Sequence, residues 1–276
     1  TDGLIMGNRV CVAGVAGRMG RMLAELLVDH PQLRLTAATE HVGSAWIDRD
    51  VGELIGEANL DVAISDSLSA VIDDFDMVID FTRPQATLDH LQVCTDNTKG
   101  LIIGTTGFSE VEREIIDLSS EKVALVIASN FAVGVNATFK LVEIAARILG
   151  PEAEVEIVEM HHNQKIDAPS GTALTLGELV ASVRGTSLSE TAAYGRHSDT
   201  NKRQAGQIGI HALRGGSVVG EHTVIFATPG ERIEIKHQAQ SRQNFAEGAL
   251  RACQWLSGQP KGVYSMTDVL NLDQFE

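Results

Sequence analysis

The densest chemistry in the sequence is the run Glu159-Met160-His161-His162-Asn163-Gln164-Lys165-Ile166-Asp167-Ala168-Pro169-Ser170-Gly171-Thr172-Ala173. Two histidines, a lysine and a Ser-Gly-Thr start of a helix fall between 161 and 172. Pro169 stops any continuing strand and Ser170 is a good N-cap, so the N–H groups that follow point outward. A helix start of this kind captures a carboxylate or a phosphate, and Lys165 adds a full positive charge to it. His161 or His162 can move a proton near neutral pH. Adjacent side chains of a strand face opposite ways, so both histidines serve one site only if the strand ends there. A metal pair or two unrelated surface histidines remain alternatives. A His-His pair without a nearby Cys or a further spaced His is, however, a poor zinc signature, and no metal is expected.

A second pattern lies near the start. Val10-Cys11-Val12-Ala13 leads into Gly14-Val15-Ala16-Gly17-Arg18-Met19-Gly20, a strand, a glycine turn and a helix. The turn must be tight, its backbone must approach a pyrophosphate, and the helix must pack near the strand, all of which a Cβ would hinder. The helix start then offers N–H groups and partial positive charge to the phosphates. An acid at the end of the next strand should accept bonds from the adenosine ribose, and Glu40 fits. The next residue is His41, where a reader of a 2′-phosphate is more often Arg, so recognition of NADPH is weakened or pH-dependent. Gly104-Thr105-Thr106-Gly107 and Ala128-Ser129-Asn130-Phe131 each follow a strand, where open α/β sheets bind ligands, and are placed to line a nicotinamide site.

The elements that must position these residues are legible from periodicity. Strands are expected at Val10–Ala13, Leu33–Thr39, Met77–Phe81, 101–104 and 123–128. Helices are expected at 18–28, after Pro84, and at 110–119. The strands are continuous apolar runs, as strands buried on both faces are, so a parallel sheet covered by helices follows. Around Phe131 the grammar changes. A helix at 136–149 is followed by the alternating strand 154–160, the helix after Ser170, and three strands at 207–213, 217–227 and 232–238. This suggests a second, open-sheet domain. Phe245–Leu256 is helical and is placed to return to the first domain. Gly185–Gly206 reads as a polar surface loop. The fold class is therefore α/β: a Rossmann-type doubly wound parallel sheet with a smaller α+β domain holding an open mixed sheet. The expected boundaries are 1–132 with 243–276, and 133–242.

The chain has 276 residues, with 22 Lys plus Arg against 37 Asp plus Glu, a formal net charge of −15. That excludes a general nucleic-acid coat, and 4% aromatic content offers no stacking platform for bases. Cys11, Cys94 and Cys253 form no disulfide framework, which suits a reducing cytosol. No apolar run reaches the ~18–20 residues of a membrane span. Thr1–Arg9 leads directly into a strand pattern, so no secretory leader is expected. His30, His90 and His197 read as exposed or loop histidines, and His211, His222 and His237 as structural ones on strands.

The run 161–173 resembles the signature of the dihydrodipicolinate reductase family. So do 14–20, Asp80-Phe81-Thr82-Arg83-Pro84, 104–108, 130–136, Val219-Gly220-Glu221-His222-Thr223, 230–232 and Ser241-Arg242. The resemblance covers essentially the whole chain. It implies a cytoplasmic enzyme of lysine and diaminopimelate biosynthesis that reduces dihydrodipicolinate to tetrahydrodipicolinate with NADH, NADPH or both. It implies a dinucleotide-binding domain and a smaller domain that binds a small dicarboxylate substrate and builds a homotetramer. His161 would be the proton donor and acceptor, and Lys165 a second proton donor. His162, Lys165, Ser170, Gly171 and Thr172 would hold the substrate. Gly14, Val15, Ala16, Gly17, Arg18, Met19, Glu40, His41, Gly104, Thr105, Thr106, Ala128, Ser129, Asn130, Phe131 and Arg242 would hold the cofactor. The family usually has Arg where this chain has His41, which leaves the choice of cofactor open. Two other readings share the layout. An aldehyde-oxidising dehydrogenase would want a nucleophilic cysteine in a loop, yet Cys11 lies in a strand pattern and Cys94 and Cys253 in helical ones. A non-catalytic dinucleotide sensor would need the glycine turn but not the histidine cluster.

Overall fold

The computed structural model describes residues 8–197 and 202–275. Thr1–Gly7 and the centre of the expected 185–206 loop (198–201) lie outside them. The chain forms two compact units, 1–132 with 243–273 and 133–242 with 274–276.

The first unit is built on a seven-stranded sheet. In chain order its strands are β1 (Asn8–Ala13), β2 (Leu33–Thr39), β3 (Ile64–Ser65), β4 (Met77–Asp80), β5 (Gly100–Ile103) and β6 (Ala124–Ile127), closed at one edge by Gly262–Tyr264. The order across the sheet is Gly262–Tyr264, β6, β5, β4, β1, β2, β3, and every pairing is parallel. Alternate residues of each central strand feed two different cores. Val10, Val12, Ile79, Ile102 and Val126 face one side, together with Leu23 and Leu27 of helix α1 (Arg18–Val28). The helix Gln243–Leu256 covers that same side through Ala246, Ala249 and Cys253. Cys11, Ala13, Val78, Leu101, Ile103 and Leu125 face the other side. There they meet Leu91 and Cys94 of a helix at Pro84–Asp96 and Ile116 of one at Glu110–Ser119. Burial on both faces is why these strands read as unbroken apolar runs. The strand order reverses between β1 and β4, which opens a crevice at their carboxyl ends.

The 40–76 stretch holds elements the periodicity does not announce. A short helix at Val51–Ile55 is organised by one carboxylate: Asp50 accepts from the N–H groups of Gly52, Leu60 and Val62 at 2.8 Å each.

The second unit pairs two helices with a five-stranded mixed sheet. Its elements include the helix Val133–Leu149, strand β7 (Glu154–His161), helix α6 (Gly171–Val183), β8 (Ala192–Tyr194), β9 (Ile208–Arg214), β10 (Gly220–Ala227) and β11 (Arg232–Ala239). The order is β11, β10, β7, β9, β8. The pairs β7–β9 and β8–β9 are parallel, and the two pairs involving β10 are antiparallel. Val155 and Ile157 of β7 pack with Ile208, Ile210, Val224 and Phe226 against Val142 and Ala146 of the first helix and Leu176 and Val180 of α6.

The expected loop at 185–206 is a correction. Its first part is a helical turn, Leu188–Thr191, followed by the edge strand β8. Ser187 and Glu190 form a capping box, and Leu188 is buried against the α-carbon of Gly177. A polar stretch thus gains structure from one capping pair and one buried leucine. The helix expected at 136–149 begins three residues earlier, at Val133, and the strand expected at 217–227 begins at Gly220.

Candidate active site and cofactor cleft

A cleft of about 940 Å³ opens beyond the carboxyl ends of β1, β2 and β4. Gly14, Gly17, Arg18, Met19, Glu40 and His41 line it. Gly14 has φ +66°, and a Cβ there would come 2.8 Å from Thr82 Cγ2. A Cβ on Gly20 would lie 2.3 Å from the carbonyl oxygen of Gly14, so the helix can sit this close to the turn only without one. Three N–H groups of the turn are used within the protein: Val15 donates to Thr39 O, Ala16 to Glu40 Oε2 and Gly17 to Gly14 O. Those of Arg18 and Met19 open the helix, whose N-cap Gly17 supplies no side-chain bond. A helix start of this kind fits a pyrophosphate.

Glu40 has a structural task in the turn. One carboxylate oxygen accepts the Ala16 N–H at 2.9 Å and the other the His41 N–H at 3.0 Å, so it also holds the turn. His41 is 75% exposed, with Nε2 3.8 Å from Glu40 Oε1. Val15 is fully buried and contributes backbone only.

Sequence reasoning left out the far wall of this cleft, formed in part by Phe81, Thr82, Arg83 and His90. Beneath it lies buried Asp80. Its carboxylate accepts from Thr82 N at 2.8 Å and Thr82 Oγ1 at 2.6 Å, and is 2.8 Å from His90 Nδ1. His90, expected as an exposed histidine, is therefore tied to a buried acid. The signal for this wall was Asp80-Phe81-Thr82 at the carboxyl end of a strand. Thr105 is buried in the same network, accepting from Thr87 Oγ1 at 2.8 Å. Phe131 packs on Phe81 with ring centroids 5.6 Å apart, and Phe81 in turn fills the space beside Gly104. Thr106 and Ser129 are exposed, Ala128 is half-buried, and Asn130 Oδ1 caps the Ala132 N–H at 2.9 Å. Arg242 is exposed on the turn before the helix Gln243–Leu256.

The histidine cluster belongs to the second unit. Strand β7 ends at His161, which satisfies the condition for both histidines to reach one place. The alternation that sends Val155 and Ile157 into the core also sends Glu159 and His161 to the same face. Glu159 is fully buried and saturated with donors. His161 Nδ1 is 2.6 Å from Oε2, Arg214 bonds both oxygens at 2.8 Å, and the Ser170 N–H donates to Oε1 at 3.0 Å. Burial alone would raise the Glu159 carboxyl, but these bonds hold it below its ordinary range. Burial lowers His161, and the bond to Glu159 opposes that shift.

Ser170 turns inward. Its hydroxyl accepts from Ala173 N at 3.2 Å and sits 2.9 Å from His222 Nε2. His222 was expected to be merely structural. Its ring packs edge-on against His161 with centroids 5.2 Å apart, and burial pushes it down to about 4. Gly171 is exposed at the first turn of α6, and its N–H has no protein partner among the described residues. Thr172 borders a small gap shared with His222 and His237. His162 follows the strand end and receives the Gln164 N–H at 3.2 Å. Lys165 Nζ bonds Asp167 at 2.7 and 2.9 Å, which lowers the Asp167 carboxyl. Glu159, Arg214 and His222 were missing from the expected site. The first could have been found from its two-residue spacing to His161; the other two depend on strand register. Among the described residues, no three His, Cys, Asp or Glu side chains are grouped to hold a metal. None of the described helices is long and apolar enough to cross a membrane.

Comparison with known proteins places both halves of the chain in one family. The family model for the dihydrodipicolinate reductase N-terminus matches residues 8–131, and that for its C-terminus residues 134–270. A 4-hydroxy-tetrahydrodipicolinate reductase of Psychrobacter arcticus is 49% identical over 266 residues, 96% of each chain. One of Nitrosospira multiformis is 48% identical over 265 residues, 96% of this chain and 98% of its own. The solved structure of a dipicolinate-bound dihydrodipicolinate reductase from Paenisporosarcina sp. TG-14 is 27% identical, with a TM-score of 0.75, over 94% of this chain and 98% of that one. An amine dehydrogenase of Mycobacterium smegmatis shares the fold alone, at 12% identity and a TM-score of 0.58 over 93% of this chain and 94% of its own. With both halves matched and close relatives aligned nearly end to end, this chain belongs to the dihydrodipicolinate reductase family.

Proposed function

We infer that the chain reduces dihydrodipicolinate, formed from 4-hydroxy-tetrahydrodipicolinate, to tetrahydrodipicolinate with a nicotinamide cofactor, in diaminopimelate and lysine biosynthesis. The observation that carries this reading is the cluster on β7: an imidazole held by a buried carboxylate, beside a lysine and the open start of α6.

The nicotinamide supplies a hydride when bound. Gly14, Gly17, Arg18 and Met19 would cradle its phosphates, with Glu40 and His41 at the adenosine ribose. The helix start without a side-chain cap suits that group, and Gly14 at φ +66° keeps the turn tight beside it. Gly104, Thr105, Thr106, Ala128, Ser129, Asn130, Phe131 and Arg242 complete the proposed cofactor set. His41 leaves NADH and NADPH both usable, because an imidazole offers a 2′-phosphate less than the planar fork of an arginine does.

A small dianion would be repelled at long range by a chain of net charge −15, so the site must create its own positive potential. Lys165, His162 and the N–H groups of Gly171 and Thr172 serve that purpose for the carboxylates. Ser170 contributes by holding the helix start in place. Lys165 must exchange Asp167 for substrate. His161 gives the proton that quenches the charge developing on the ring, and Lys165 is a second donor. Assembly as a homotetramer belongs to the same reading and is supported by the second face of the mixed sheet, where Leu213 is exposed and Val158, Met160 and Ile225 are only half-buried. A cytoplasmic location fits three free, buried cysteines.

The test is NADH and NADPH oxidation with freshly generated dihydrodipicolinate, with simple aldehydes, and with no added substrate. Turnover only with the dicarboxylate is expected. Equal turnover with aldehydes, or cofactor binding without any turnover, would overthrow the reading.

A further inference from the structure

The ion pair between fully buried Glu159 and half-buried Arg214 calls for an explanation that packing does not supply. A lone carboxylate in the core is costly, and a buried ion pair is seldom worth more than apolar residues of the same volume. Yet the sequence spends both residues at one point, where β9 brings Arg214 into register with His161. The Glu159 carboxylate meets three donors: the Arg214 guanidinium, the Ser170 N–H and the His161 ring.

We propose that Glu159, clamped by Arg214, is the positioning residue for His161: it holds the proton of the imidazole on Nδ1, so that Nε2 is the atom that exchanges a proton with substrate. An ionised carboxylate can only accept, so the 2.6 Å contact requires a hydrogen on Nδ1. When the imidazolium releases its Nε2 proton to the substrate, the neutral ring that remains is the Nδ1–H tautomer, and the Glu159 bond is kept throughout. Arg214 prevents Glu159 from taking the proton itself, because two bonds at 2.8 Å favour the ionised carboxylate. Arg214 also donates to the Asp167 carbonyl oxygen at 2.7 Å, so the clamp anchors the loop that carries Lys165.

Gly220 completes the arrangement. A Cβ there would lie 3.0 Å from His161 Nε2, so the ring keeps its place because position 220 has no side chain. The charged and titratable groups around His161 are Glu159 on its own strand, Arg214 on β9, Lys165 on the following loop and His222 on β10, with His237 on β11 beyond His222. Of these only Glu159 favours the imidazolium. Loss of its charge therefore has a defined direction.

This inference rests on the proton-transfer reading of His161, and the experiment separates the two. Nitrogen-15 shifts of the His161 ring in the full-length protein, assigned by their disappearance in His161→Ala, report the tautomer. The wild type is expected to show a neutral ring protonated on Nδ1, and Glu159→Gln a mixture of tautomers. In Glu159→Gln, kcat should fall by about 10²-fold, with KM for the dicarboxylate and cofactor affinity within about threefold of wild type. The limb of the pH profile on which activity falls with rising pH should move to lower pH by about one unit. A folded Glu159→Gln protein with an unchanged tautomer and an unchanged pH limb overturns the proposal. If that variant does not fold, Arg214→Lys is read the same way; it should shift both readouts in the same direction by less, and no shift overturns the proposal. Full turnover by His161→Ala would remove the proton-transfer reading, while the ring shifts would still decide whether Glu159 sets the tautomer.

Discussion

Replacing Gly14 by alanine tests the link between the glycine turn and the cleft, and the structure gives two separable costs. The residue sits at φ +66°, where a side chain costs about 1–2 kcal/mol. The new Cβ would also meet Thr82 Cγ2 at 2.8 Å, an overlap of the kind that costs about 1–3 kcal/mol in a packed site. Gly14→Ala should therefore lose about 2–5 kcal/mol of stability. Thr82→Ser removes the offending methyl but keeps the hydroxyl that donates to Asp80, so the double variant should regain about 1–3 kcal/mol, the steric share alone. Both tryptophans, Trp46 and Trp255, lie in the first unit, so urea unfolding followed by their fluorescence reads the relevant structure. Where the variant relieves its strain by moving the turn, NADH must restore it on binding, at about tenfold in Kd for each 1.4 kcal/mol. A Gly14→Ala protein within about 0.5 kcal/mol of wild type, or a double variant that regains nothing, would refute the argument.

Three further outcomes are expected. His161→Ala should leave cofactor binding intact and lower turnover by about 10²-fold or more, measured by steady-state kinetics alongside cofactor titration. His41→Arg should tighten NADPH about tenfold with little effect on NADH, since a guanidinium brings a charged planar fork to a 2′-phosphate; paired equilibrium titrations decide it. The third concerns acid stability. Burial would raise the Glu156 carboxyl, but bonds from Arg196, His211 and Arg203 hold it down at about 2, against an ordinary value of 4.5. Its folded value lies below its unfolded one, so the stabilisation is fully present above about pH 4.5 and is lost as pH falls towards 2. Glu156→Gln should lower stability at pH 7 by about 1–3 kcal/mol and flatten the pH dependence of unfolding within that window.

The sequence alone determined the periodic elements and the turns that adjoin them. Unbroken apolar strands at Val10–Ala13 and 101–103 specify a sheet buried on both faces, because two layers of helix must be fed from alternate residues of one strand. The glycine spacing and the Ser170 cap were legible because each acts within its own turn, and Glu40 because it stands at the end of its strand. Elements without periodicity were not legible. The 51–55 helix depends on one aspartate reaching residues ten and twelve positions away, and Leu188–Tyr194 on a capping pair and a buried leucine. The candidate site divides along the same line. His161, Lys165 and Gly171 stand out as a dense run of reactive types. Arg214 and His222 lie 53 and 61 residues from His161, and although 219–223 carries part of the family resemblance, no dense run of reactive residue types surrounds either one. Only strand register brings them in, β9 setting Arg214 beside His161 and β10 setting His222 opposite Glu159. Register follows from how the two faces of the mixed sheet pack. Which nitrogen of His161 is tied to Glu159 is thus a property of tertiary structure.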